Sequence, residues 1–164
     1  SLLSSDTDRA ENAMITDLLR NDLGRFCEPG SVKVTELCGL YSFDNVHHLI
    51  STITGRLASG ISAGNVMIAS SPGGSITGAP KKRAVEIIAE LEPHARGAYC
   101  GSLFAMTGDG WLQSSIAIRT LEAKGTSLYC WGGGGITASS HWEAEYQETL
   151  DKIGPIMKAL EAPH

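Results

Sequence analysis

The chain has 164 residues, 42% hydrophobic and 19% charged, a composition that excludes a disordered segment and allows one domain with its own core. A net charge of -5 without a basic stripe argues against nucleic acid as the partner, and no apolar run is long enough to span a membrane. Cys27, Cys38, Cys100 and Cys130 are scattered and form no C-x-x-C pair, which suits reduced thiols in a cytoplasmic protein.

The first predicted element is a helix from Ser5 or Asp6, either of which can cap it, to about Gly24. Its apolar stripe is Met14, Ile15, Leu18 and Leu19, and at about 100° per residue Glu11 and Asp22 fall within that stripe. A carboxylate facing the core needs a cation, either a salt-bridge partner or a metal. After a turn at residues 27–30, residues 31–37 alternate as a strand. Residues 46–57, rich in β-branched side chains, read as another. His47 and His48 then point to opposite faces, so only one can enter a given site.

A short helix over residues 63–70 feeds the glycine-rich stretch Ser71-Pro72-Gly73-Gly74-Ser75-Ile76-Thr77-Gly78-Ala79-Pro80-Lys81. Pro80 suits the first turn of the next helix, which carries apolar groups at helical spacing to Leu91. The glycines allow positive φ and close ligand approach, and a helix start favours an anion. No Gly-Lys-Ser/Thr follows at the Walker A spacing.

Residues 98–106, 111–121 and 126–131 are predicted as an antiparallel meander, turned at Gly108-Asp109-Gly110 and Lys124-Gly125. Alternation places Ser115, Ala117 and Arg119 on one face, and an arginine inside an apolar strand pairs with an acid or awaits an anion. Gly132-Gly133-Gly134-Gly135 is poor strand material and implies close backbone approach to something. The last helix spans about residues 141–160. Its stripe is Trp142, Tyr146, Leu150, Ile153, Met157 and Leu160, and Pro155 is expected to kink or interrupt it. Glu145, Glu148 and Lys152 form a separate ridge. The fold class is α+β, with no domain boundary evident.

Carboxylates without a cysteine or histidine cluster suit a hard cation such as Mg²⁺. An arginine with backbone N–H groups suits a carboxylate-bearing substrate. Residue spacing leads to a small dianion held partly through magnesium, and no further.

Several blocks together resemble the C-terminal part of the chorismate-utilising enzymes. They are Asp8-Arg9-Ala10-Glu11-Asn12 with Arg20-Asn21-Asp22-Leu23-Gly24-Arg25, Val46-His47-His48-Leu49, Ser75-Ile76-Thr77-Gly78-Ala79-Pro80-Lys81, Ile118-Arg119-Thr120, Gly133-Gly134-Gly135-Ile136 and Ala144-Glu145-Tyr146-Gln147-Glu148-Thr149. That family includes anthranilate synthase component I, aminodeoxychorismate synthase component I and isochorismate synthases. The resemblance implies stacked antiparallel sheets with helices outside, of which residues 1–164 would supply roughly half as a single C-terminal portion. It implies Glu11, Glu145 and Glu148 as magnesium ligands, with Asp8 where a further acid usually lies. Tyr99 and Arg119, assisted by backbone N–H groups of Gly133, Gly134 and Gly135, are implied to bind the enolpyruvyl carboxylate. Ser75 lies on the substrate-proximal loop, Lys152 beside the metal, and His48 is a site histidine whose role differs between members.

The Gly73-Gly74-Ser75-Ile76-Thr77-Gly78 form resembles the aminodeoxychorismate branch, where anthranilate synthases more often show Gly-Thr-Val/Leu-Ser-Gly. The branch implies amination of chorismate at C4, with ammonia from a glutamine amidotransferase. Anthranilate synthesis is the alternative, and a non-enzymatic anion-binding module would leave the three glutamates unexplained. In the aminodeoxychorismate branch an upstream Pro-Ile-Lys-Gly-Thr segment supplies a lysine nucleophile, replaced by alanine in the anthranilate branch. Ser1 begins just after the place of that segment, and without methionine, so the chain reads as truncated and inert alone, with bare apolar surface.

Overall fold

A computed structural model describes residues 6–43, 47–138 and 140–161, with side chains from Arg9 onward. Ser5 and Val46 lie outside the described residues, as do the side chains of Asp6 and Asp8, so the helix-cap reading and the Asp8 reading fall there too. The chain forms two compact units, which no shift in composition marks. One comprises residues 1–91 with 106–112, the other residues 92–105 with 113–164.

In the first unit, helix α1 (Asp6–Gly24) packs on an antiparallel hairpin of β1 (Lys33–Ser42) and β2 (His47–Thr54). The hairpin register runs from Lys33 opposite Thr54 to Ser42 opposite His47, with two irregularities in β1. The second leaves Cys38 at φ 53, its thiol buried beneath α1. Asn12 joins the layers: its Nδ2 donates to the Leu49 carbonyl at 2.9 Å, and its Oδ1 accepts from Ser51 Oγ at 2.5 Å and Cys38 Sγ at 3.4 Å. Thr16, one turn on and also buried, donates to the Asn12 carbonyl. The inward edge of α1 therefore follows Asn12, Ile15, Thr16, Leu18 and Leu23, so that Ile15 and Leu18 of the expected stripe lie on it and Met14 and Leu19 do not. Met14 is 50% exposed and Leu19 40%. This rotation corrects the expectation that Glu11 faces the core, for Glu11 is exposed.

Helix α2 (Ala63–Ser70) starts at a capping box in which Ser62 and Asn65 serve each other's backbone N–H. The glycine-rich stretch then makes a single turn, α3 (Gly74–Thr77), before α4 (Lys81–Leu91). Pro80 stands just ahead of α4 rather than inside it, and its carbonyl accepts the first helical bond, from Ala84 N–H.

The expected meander does not form. Strands β3 (Ser102–Met106) and β4 (Leu112–Ile116) make one two-stranded sheet, and β5 (Thr120–Lys124) and β6 (Ser127–Trp131) another. The single strand predicted over residues 111–121 breaks because Arg119 takes φ 49, which ends the two-residue alternation. Residues 98–101 form turns rather than strand. Helix α5 (Trp142–Glu161) runs through Pro155 uninterrupted. Its apolar stripe is not a covered core face: Trp142 is 74% exposed and Tyr146 62%.

Candidate active site

The second unit brings most of the expected binding residues together around the glycine run that follows β6. A Cβ added at Gly132 would clash with Ile153 of α5. One at Gly133 would stand 2.7 Å from the Tyr99 hydroxyl, and one at Gly134 would stand 3.1 Å from Glu145 Oε2. The run is glycine because three neighbouring side chains occupy the space a side chain would need.

Lys152 of α5 donates to the Gly133 carbonyl at 3.2 Å and pairs with Glu148 Oε1 at 2.5 Å, one turn before it. Glu145 accepts a hydrogen bond from Ser140 Oγ at 2.6 Å, which aims its carboxylate toward the glycine run. The helix thus presents two carboxylates and one ammonium to a bare stretch of backbone. Oxygen-only donors suit a hard divalent cation, and magnesium often takes just one or two protein carboxylates, completing its shell with waters and ligand oxygens. A cation there would share Glu148 with Lys152. Among the described residues, no group of three or more His, Cys, Asp or Glu side chains is assembled for a metal. Glu11 belongs to the first unit and Glu145 and Glu148 to the second.

Tyr99 is held by partners that sequence reasoning missed. Its ring stacks on Trp131 at 5.9 Å and 16°, and the Arg96 guanidinium lies 5.9 Å over its centroid. Glu92 in turn fixes Arg96 through a 2.5 Å contact one helical turn apart in sequence. The i, i+4 spacing of Glu92 and Arg96, three residues before Tyr99, was the available signal. Burial, then the neighbouring Cys100, pushes the Tyr99 phenol from 10.0 up to about 12. Its folded value lies above its unfolded one, so the stability it contributes is complete below pH 10 and lost as pH rises through about 12. Ultraviolet phenolate titration of the protein and of Tyr99→Phe should differ by one phenol titrating near 12. A difference centred at the ordinary tyrosine value would contradict this half-buried placement.

Arg119 is not embedded in a strand. It sits at the break between β4 and β5, exposed, and its guanidinium has no hydrogen-bond or ion-pair partner among the described residues. In the first unit, His48 is exposed near the turn end of β2, with Phe43 edge-on at 5.8 Å, and Ser75 is exposed on α3. Asp22, the other acid expected on the inward face of α1, is paired with Lys81 at 3.1 Å and is a salt-bridge residue.

The family model described as chorismate binding enzyme matches residues 1–158. The chain belongs to that family. The chain is 55% identical to the aminodeoxychorismate synthase component 1 of Klebsiella aerogenes over 98% of its own length and 36% of the relative's. It is 44% identical to the anthranilate synthase component 1 of Streptomyces coelicolor, over 97% of this chain and 31% of that one. The crystal structure of anthranilate synthase component I from Streptococcus pneumoniae superposes with a TM-score of 0.86 at 41% identity, covering 93% of this chain and 35% of that one. The chain thus spans about a third of the length of these relatives, and its α+β fold is theirs over that third.

Proposed function

We propose that the protein carrying this chain is an aminodeoxychorismate synthase component I, converting chorismate and ammonia to 4-amino-4-deoxychorismate for 4-aminobenzoate and folate synthesis. The observation that carries this reading is the 55% identity to a relative of that name, against 44% to an anthranilate synthase. The Gly-Gly-Ser-Ile-Thr-Gly form of the loop over residues 73–78 points the same way. Component 1 in the relative's name supports a second component, which in this reading is a glutamine amidotransferase that supplies the ammonia. Free thiols and the lack of any helix long and apolar enough to cross a membrane, among the described residues, support cytoplasmic residence.

In this reading the unpartnered Arg119 guanidinium and the neutral Tyr99 phenol anchor the enolpyruvyl carboxylate, as a planar fork and a positioned donor can. Backbone N–H groups of Gly133, Gly134 and Gly135 add donors where no side chain stands in the way. Glu145 and Glu148 would hold Mg²⁺, which would supply positive charge against the ring carboxylate, and the resemblance implies Glu11 as a further ligand. Lys152 keeps the glycine run and Glu148 in register, and the resemblance assigns Ser75 to the substrate-proximal loop and His48 to the site with a role that differs between members. Taken alone, residues 1–164 are expected to self-associate through the many large apolar side chains left exposed.

Product analysis tests the branch. The intact enzyme with chorismate, ammonia and Mg²⁺ should form 4-amino-4-deoxychorismate, which an added lyase converts to 4-aminobenzoate. Fluorescent anthranilate as the main product without lyase would move the protein to the anthranilate branch.

A further inference from the structure

The substrate-proximal loop is seated on α1 at two points one helical turn apart. At the first, Gly74 is buried flat against Leu18, with space for a Cβ only 3.4 Å from Leu18 Cδ1. At the second, Lys81 Nζ donates to Asp22 Oδ2 at 3.1 Å and to the Ser70 carbonyl at 3.2 Å. Leu18 and Asp22 are i and i+4 on α1 and therefore stand one above the other. Ser70 closes α2 and Lys81 opens α4, so one ammonium ties both ends of the stretch over residues 71–80 to each other and to α1.

A lysine in the first turn of a helix opposes the helix dipole, which favours cations at the other end. Lys81 turns its charge away from α4, toward Asp22 and the C-terminal carbonyl of α2, where the dipole welcomes it. The pair is also well shielded: the Asp22 side chain is 19% exposed and that of Lys81 31%. Between the two anchor points the loop's own bonds, Gly78 N–H to the Gly74 carbonyl and Thr77 Oγ1 to the Gly73 carbonyl, hold the turn that displays Ser75.

We propose that Lys81 and Asp22 are a positioning pair that fixes the loop over residues 71–80 on α1 and thereby sets where Ser75 meets the substrate, an inference that rests on the functional reading above. Neither residue touches substrate; each acts through the loop. Lys81→Met keeps the aliphatic stem and removes the ammonium. In the intact enzyme it should speed hydrogen exchange of the amides of residues 74–79 about tenfold, leaving the β1–β2 hairpin unchanged. The chorismate KM should rise about tenfold with a smaller change in kcat. Asp22→Asn should act in the same direction, the double variant should be no worse than Lys81→Met, and Lys81→Arg should restore most of both properties.

Unchanged loop exchange in Lys81→Met overturns the pairing role whatever the activity. Faster loop exchange with unchanged chorismate kinetics overturns it as well, as does a loss spread evenly over the whole unit. An intact enzyme that does not turn over chorismate overturns the functional reading instead, and the exchange measurement still decides whether the pair holds the loop.

Discussion

Glu145→Gln or Glu148→Gln in the intact enzyme should abolish Mg²⁺-dependent turnover while leaving the fold unchanged. The substitution keeps the size of each side chain and removes its charge, so helix packing has little reason to alter. At Glu145 the amide still accepts from Ser140 Oγ, the contact that aims the side chain at the glycine run. At Glu148 the change releases Lys152, which retains its bond to the Gly133 carbonyl. What disappears is the negative charge that strengthens oxygen ligation of a hard cation. Activity should fall by more than about two orders of magnitude, on the scale of several kcal/mol of charge stabilisation that a catalytic metal supplies. Circular dichroism should remain that of the parent protein. Near-normal turnover in either variant would remove that glutamate from the metal assignment.

Arg119→Lys should reduce kcat/KM for chorismate by roughly ten- to a hundredfold, corresponding to about 1.5–3 kcal/mol for a hydrogen bond to a charged group. Lysine keeps the charge but loses the bidentate fork, so the loss measures carboxylate recognition rather than long-range attraction. The backbone at this position is left-handed, with φ 49, a cost that arginine and lysine share. No acid among the described residues is orphaned by the change, because none is paired with Arg119. Stability should therefore be nearly unchanged. An unaltered kcat/KM would show that Arg119 does not hold the substrate.

Much of the local structure was legible because its causes are local. Helix α2 begins at Ser62, whose exchange of bonds with Asn65 depends on three-residue spacing alone. Helix α1 ends at Gly24 and β2 follows its β-branched run, as composition and punctuation suggest. The ridge of Glu145, Glu148 and Lys152 follows directly from helical geometry, and the 2.5 Å contact between Glu148 and Lys152 is its result. Identity came from motif order along the chain, which a family match over residues 1–158 bears out.

The misreadings arose where distant residues decide. The amphipathic stripe of α1 held at Ile15 and Leu18 but not at Met14 and Leu19, because Asn12, a half-buried amide that meets Leu49 and Ser51, and buried Thr16 set the inward edge against a marginal apolar bias. Alternation carried one strand through Arg119, since a positive φ at a non-glycine residue leaves no trace in hydropathy. The four glycines announced close approach but not its partners, which are Ile153, Tyr99 and Glu145 from elsewhere in the chain. Trp131 and Arg96 around Tyr99, and Lys81 on Asp22, are likewise contacts that only folding creates. By itself the sequence determined the helices, the hairpins with local turns, and the family. The tertiary structure alone decided which face of α1 is inward, where a strand breaks and what surrounds each site residue, because these follow from packing between residues far apart along the chain.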